Sequence, residues 1–167
     1  MPKPELVSKS AAAASGAGAA VKPNPTSKPS LTIKRRLKAP PAKVYGAWTE
    51  PEKIKHWWGP GESETLLAEV DLQVGGSFRV VFRMSDGEEH DVRGVYREIV
   101  PNEKLVFSWH WRTTPERVSQ VTVSLKKDGD FTLLTLFHEQ FFDEAARDGH
   151  QRGWSSTLDR LEKYIAS

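Results

Sequence analysis

The chain has 167 residues, with 24 Lys and Arg against 22 Asp and Glu, five His and no Cys. That length makes one domain and not comfortably two. The missing cysteines exclude disulfides, thiolate metal sites and cysteine nucleophiles, and no apolar run nears the roughly 18 residues of a membrane span.

Residues 1–30 are mostly Ala, Gly, Pro, Ser and Lys, without one aromatic ring. Such a stretch cannot bury enough apolar surface to offset its ordering entropy, and it reads as a disordered low-complexity tail. It lacks the apolar segment of a secretory signal. Lys3, Lys9, Lys22 and Lys28 stand there against Glu5 alone, which exceeds the formal excess of +2 for the whole chain. Residues 31–167 are therefore slightly acidic, and a nucleic-acid partner loses its electrostatic footprint.

The domain begins with "LTIKRRLK" (31–38), whose Leu31, Ile33, Arg35 and Leu37 share one strand face. Pro41 suits a first helical position, and Val44, Ala47 and Trp48 recur at helical spacing. Pro51 opens a second short helix, "PEKIKHWW", which Gly59-Pro60 stops. Adjacent helical residues point about 100° apart, so one of Trp57 and Trp58 is expected to be fully buried. Strands follow at "ETLLAEV", "SFRVVFRM", "EHDVRGVYREI", "KLVFSWHWR", "VSQVTVSLK" and "FTLLTLFHE", with Asp-Gly hairpin signals at 86–87 and 128–129. Residues 143–166 form the last helix, with Asp143 as N-cap and an apolar stripe of Trp154, Leu158, Leu161 and Ile165. Gly149 and Gly153 precede that stripe at about 1 kcal/mol each relative to Ala. A meander of hairpins needs a cover for its apolar face, and the long helix supplies it. The fold class is α+β.

Strand parity collects an aromatic inner face of Phe78, Phe82, Tyr96, Phe107, Trp109 and Trp111, with Met84 beside them. Trp154 and Leu158 face it from the helix, and Trp57 stands at the mouth. Rigid rings with a few polar groups suit either an ordinary core or a small-molecule pocket. The polar candidates are His90, Tyr96 and His138, with Arg35 as an anchor that can also pair with a carboxylate such as Glu98. No metal ligand set appears: "HEQFF" (138–142) ends in Phe where a zinc motif needs His. There is no P-loop, no dinucleotide fingerprint and no nucleophile elbow, so no cofactor is expected.

The words "APPAKVYGAWTEPEKIKHWWGP" (39–60), "GGSFRVVFRMSDG" (75–87), "GVYREIVPNEKLVFSW" (94–109) and "GWSSTLDRLEKYI" (153–165) resemble the SRPBCC (START-like, helix-grip) superfamily. Within it they are similar to the heat-shock protein 90 ATPase activator homologue family. The resemblance implies a curved antiparallel sheet gripping the C-terminal helix over residues 31–167, an apolar cavity between them, and no shared catalytic residue. It further implies three expectations. The first is a binding module for a hydrophobic small molecule; the second is a stress-related co-factor of a chaperone ATPase. The third is a cyclase, lyase or hydrolase using His90, Tyr96 or His138, ranked last because no nucleophile–base pair is legible. The setting expected is cytoplasmic, as monomer or homodimer, with neither membrane nor nucleic acid as partner.

Overall fold

The computed structural model describes residues 28–167; of the tail expected over residues 1–30, residues 1–27 lie outside the described residues. The elements run β1 (Leu31–Leu37), α1 (Pro41–Thr49), α2 (Pro51–Ile54), β2 (Glu64–Val70), β3 (Ser77–Arg83), β4 (Glu89–Val100), β5 (Lys104–Trp111), β6 (Ser119–Asp128), β7 (Phe131–Glu139) and α3 (Glu144–Ala166). All neighbouring strands are antiparallel, in the order β1-β7-β6-β5-β4-β3-β2. The first two strands of the chain are thus opposite edges of one curved sheet. The α1–α2 segment carries the chain from one edge to the other, and α3 lies along the concave face.

The register explains which residues meet inside. Phe78 stands opposite Gly94, Val80 opposite Val92 and Phe82 opposite His90. Tyr96 faces Phe107, and the β4 irregularity between Tyr96 and Glu98 comes after the inward set, so it reverses none of it. Gly94 is required sterically: a Cβ there would run into the Ser108 carbonyl and the Phe78 ring. On α3, the Asp143 carboxylate accepts from the Ala146 N–H at 2.8 Å, a side-chain N-cap. Trp154, Leu158, Leu161 and Ile165 are all buried, each stabilising the fold by roughly 1.5–3 kcal/mol. Gly153 meets nothing where a Cβ would stand, so no close approach accounts for it.

The "HWWGP" segment departs from expectation twice. The second helix ends at Ile54, and residues 55–57 form turns. Both tryptophans are buried, Trp57 fully and Trp58 at 5% exposure. Beyond the helix the 100° rule no longer separates them. Trp57 turns back, its indole N–H donating to the Ala47 carbonyl at 3.0 Å, while Trp58 reaches towards Trp109 and Trp154. Gly59 then takes φ +91°, where a Cβ would press on Ser63. Helix α3 clamps this corner. Arg160 Nη1 donates to the carbonyls of Trp58 and Gly59 at 2.8 and 2.9 Å, and the Gly61 N–H donates to Ser156 Oγ at 2.8 Å.

Candidate functional site

The inner volume has two halves of different character. Under α3 it is filled by rings whose polar atoms close on one another. The Trp154 indole N–H donates to His138 Nδ1 at 3.0 Å. Neutral His138 therefore carries its proton on Nε2 and donates to Ser119 Oγ at 2.8 Å. The Ser119 hydroxyl in turn donates to the Trp109 carbonyl at 3.3 Å. His150 Nε2 accepts from the indoles of Trp111 and Trp109 at 3.0 and 3.3 Å, so its proton sits on Nδ1 and donates to the Ala146 carbonyl at 2.7 Å. Protonating either ring would set an N–H against an N–H. Burial pushes His138 well below the usual histidine value, with the neighbouring His150 adding to it; burial also lowers His150, partly opposed by its bond to Ala146. Phe141 closes the group, 4.1 Å from His138 between ring centres.

The second half lies under α1 and α2. Trp48, Ile54, Trp58, Val70, Phe78, Val80, Tyr96 and Phe107 surround a residual cavity of about 10 Å³, at the threshold for a single water. Its outer wall is β2, an edge strand whose inward residues Thr65, Ala68 and Val70 are only half-buried. The strand is interrupted by a register shift between Thr65 and Leu67. Among the described residues, the buried side-chain polar atoms without a partner are Trp48 Nε1 and Thr65 Oγ1. Trp48 lines this space from α1, and Thr65 is on β2, whose Val70 lines it. Tyr96 brings a phenol whose pKa burial raises, with nearby Tyr45 adding to the effect, so it remains protonated.

The structure distributes the predicted residues between these halves. Phe78, Tyr96 and Phe107 line the cavity, whereas Trp109, Trp111, His138 and Trp154 belong to the closed network. Leu158 is core. Phe82, His90 and Trp111 pack together at the β3–β4 hairpin end, and His90 Nε2 lies 3.4 Å from Glu88. Met84 receives the Ser63 hydroxyl at 3.3 Å. Arg35 faces inward as parity requires, but it is no cavity anchor. Its guanidinium pairs with Asp159 at 2.8 Å and donates to the Ser155 carbonyl at 3.2 Å, both on α3. Glu98, the carboxylate considered for it, pairs instead with Lys104 at 3.2 Å. The cavity also borders α1 and α2 rather than α3, because the rings under α3 leave no space there. Sequence reasoning does not single out Ser119 and His150 of the network, or Trp48, Ile54, Trp58, Val70 and Val80 of the cavity. His150 was legible as the position one turn before Trp154; the others depend on tertiary placement.

The outer sheet face carries a separate charge cluster. Asp91 receives Arg79 at 3.0 Å and Arg93 at 3.1 Å, with Arg112 at 3.7 Å. Burial alone would raise the Asp91 carboxyl, but hydrogen bonds and charge from Arg93 and Arg79 outweigh it and hold it below its usual value. Among the described residues no group of three His, Asp or Glu side chains could hold a metal, and no helix is long and apolar enough to cross a membrane.

A curved antiparallel sheet with a long C-terminal helix in its grip, and short helices after the first strand, defines a START-like, SRPBCC-type domain. Residues 38–166 match the family described as activator of Hsp90 ATPase homolog 1-like protein, and the chain belongs to that family. No curated protein matches it. A solved structure from Chromobacterium violaceum is similar at 24% identity and TM-score 0.76, covering 83% of this chain and 97% of that one. The AHSA1 protein of Silicibacter pomeroyi matches at 23% identity and TM-score 0.74, over 83% and 98%. An uncharacterised protein from Rhizobium leguminosarum reaches 30% identity at TM-score 0.68, over 83% and 94%.

Proposed function

We propose that the domain is a binding module for a small, largely apolar molecule, received in the space between α1–α2 and strands β2–β5. One observation carries this reading: the interior closes completely on itself under α3, yet keeps a ring-lined gap beside a half-covered edge strand. A ligand pocket commonly spans about 300–1,000 Å³, so occupancy requires β2 to move away from α2. Strand β2 has one sheet neighbour, a register shift and no fully buried side chain, which makes it the element that yields at least cost. A cytoplasmic setting goes with this reading, on the absence of cysteine. Native mass spectrometry of protein purified from its own host tests it. A bound mass lost on denaturation is expected. A bare mass, together with no thermal shift from lipids, steroids or aromatic polyketides, would overturn it.

A second reading is favoured by the family and by the outer face. Three guanidiniums around Asp91, with Glu69 beside them, form a cluster with an excess of positive charge on a slightly acidic domain, which suits an acidic protein surface. A co-factor role towards a heat-shock protein 90-type ATPase would use it. The ATPase rate of the purified chaperone should then rise with this protein and less so with Arg93→Glu; no change with the wild-type chain removes the reading.

A further inference from the structure

The closed half of the interior sets a standard against which one atom stands out. Trp57 donates its indole N–H to a carbonyl, Trp109 and Trp111 donate to His150, and Trp154 donates to His138. Trp48 is 3% exposed and lines the cavity, and its N–H is buried with no acceptor. A buried donor left unpaired is costly, and native interiors seldom tolerate it without a use. The ring cannot readily swing to find an acceptor elsewhere. It stands edge-on to Trp57 at 4.8 Å and Trp58 at 6.5 Å and leans on Trp154 at 5.9 Å.

The rest of the lining limits what the acceptor can belong to. Ile54, Val70, Val80, Phe78 and Phe107 offer no polar side-chain atom, Tyr96 adds one hydroxyl and Trp58 one indole N–H. No Lys, Arg or His lines the cavity, so a carboxylate or phosphate would be buried without a counter-charge, at prohibitive cost. A cationic head group can rest on ring faces, but it gives the Trp48 N–H no acceptor. What remains is a neutral, mainly apolar molecule with a single strong acceptor.

Resting on the reading that this space takes a ligand, we infer that the ligand is a neutral carbonyl compound (a ketone, aldehyde or ester) whose oxygen accepts the Trp48 indole N–H. The donor is fixed before the ligand arrives, so little ordering is lost when the bond forms. Apolar rings on the other walls take the hydrocarbon body. The Tyr96 hydroxyl and the Trp58 indole N–H are the other donors in the lining.

The test uses indane and 1-indanone, which share a skeleton and differ by one carbonyl, with the full ¹⁵N-labelled chain. Six indole signals are expected, and the Trp48 signal is assigned through its own ring protons. Both probes should perturb the signals of Phe78 and Phe107, and only 1-indanone should move the Trp48 indole proton downfield. In Trp48→Phe, the ratio of the 1-indanone to the indane dissociation constant should rise by about tenfold. The downfield shift in the wild-type chain keeps the test decisive if that variant folds poorly. Binding of both probes with an unmoved Trp48 proton, or with an unchanged ratio in the variant, overturns the Trp48 assignment while leaving the pocket. Failure of both probes to perturb any cavity-lining signal removes the pocket, and the assignment with it.

Discussion

The two halves of the interior are built from the same kind of residue and behave differently. Under α3, indoles and imidazoles alternate so that the N–H of Trp109, Trp111 and Trp154 each finds a ring nitrogen, and each imidazole passes its own proton to an oxygen. Under α1 and α2, rings also crowd together, but Trp48 and Thr65 are left with unpaired polar atoms and a gap remains. The difference teaches that aromatic content does not decide between core and pocket. The decision falls to polar closure and to how fully the flanking edge strand is covered: β1 buries Leu31 and Leu37, whereas β2 buries no side chain fully.

Breaking the closed half should be most damaging. Trp154→Ala removes ring packing against Trp48, Trp58 and Trp109 along with the donor to His138. A loss of about 3–5 kcal/mol is expected, measured by denaturant unfolding. Next comes His138→Leu, which keeps bulk but strands the Trp154 N–H and one bond of Ser119. It should cost about 1–3 kcal/mol in the same assay.

The closed half should also carry the acid sensitivity. Both histidines have folded-state pKa values below the unfolded value of about 6.5, so the unfolded chain binds more protons between the two. Their contribution is complete above about pH 6.5 and is lost progressively as pH falls towards the folded values. The slope is at most about 1.4 kcal/mol per pH unit for each group. Unfolding midpoints measured from pH 7 to pH 5 should fall, and His150→Phe should flatten the curve. A pH-independent midpoint would mean that the indole–imidazole bonds are not formed as described.

The smallest effect sharpens the comparison most. Thr65→Val replaces an unpartnered hydroxyl with a methyl of similar shape, and stability should change by less than about 0.5 kcal/mol or rise. Ser119→Ala, the matching deletion in the closed half, leaves His138 without its acceptor and should cost about 1–3 kcal/mol. Equal losses at the two sites would erase the distinction between the halves.

The alternating runs, the Asp-Gly hairpins, the capped stripe of α3 and the family words were legible in the sequence. Those features are local: a period of two or 3.6 and a turn residue act within a few positions, so the α+β order and the inward placement of Phe78, Tyr96, Phe107 and His138 followed from them. The parts that only the tertiary structure decided depend on contacts between residues far apart in the chain. Trp57 and Trp58 are both buried because a turn, anchored by Arg160 from α3, reorients them. Arg35 meets Asp159 rather than a ligand because α3 crosses β1 at that turn of the helix. The gap lies beside β2 because that edge strand is shifted in register and buries no side chain fully, whereas the opposite edge, β1, buries Leu31 and Leu37. Periodicity assigns a face to each side chain; the packing of non-local neighbours determines whether the space in front of that face is filled.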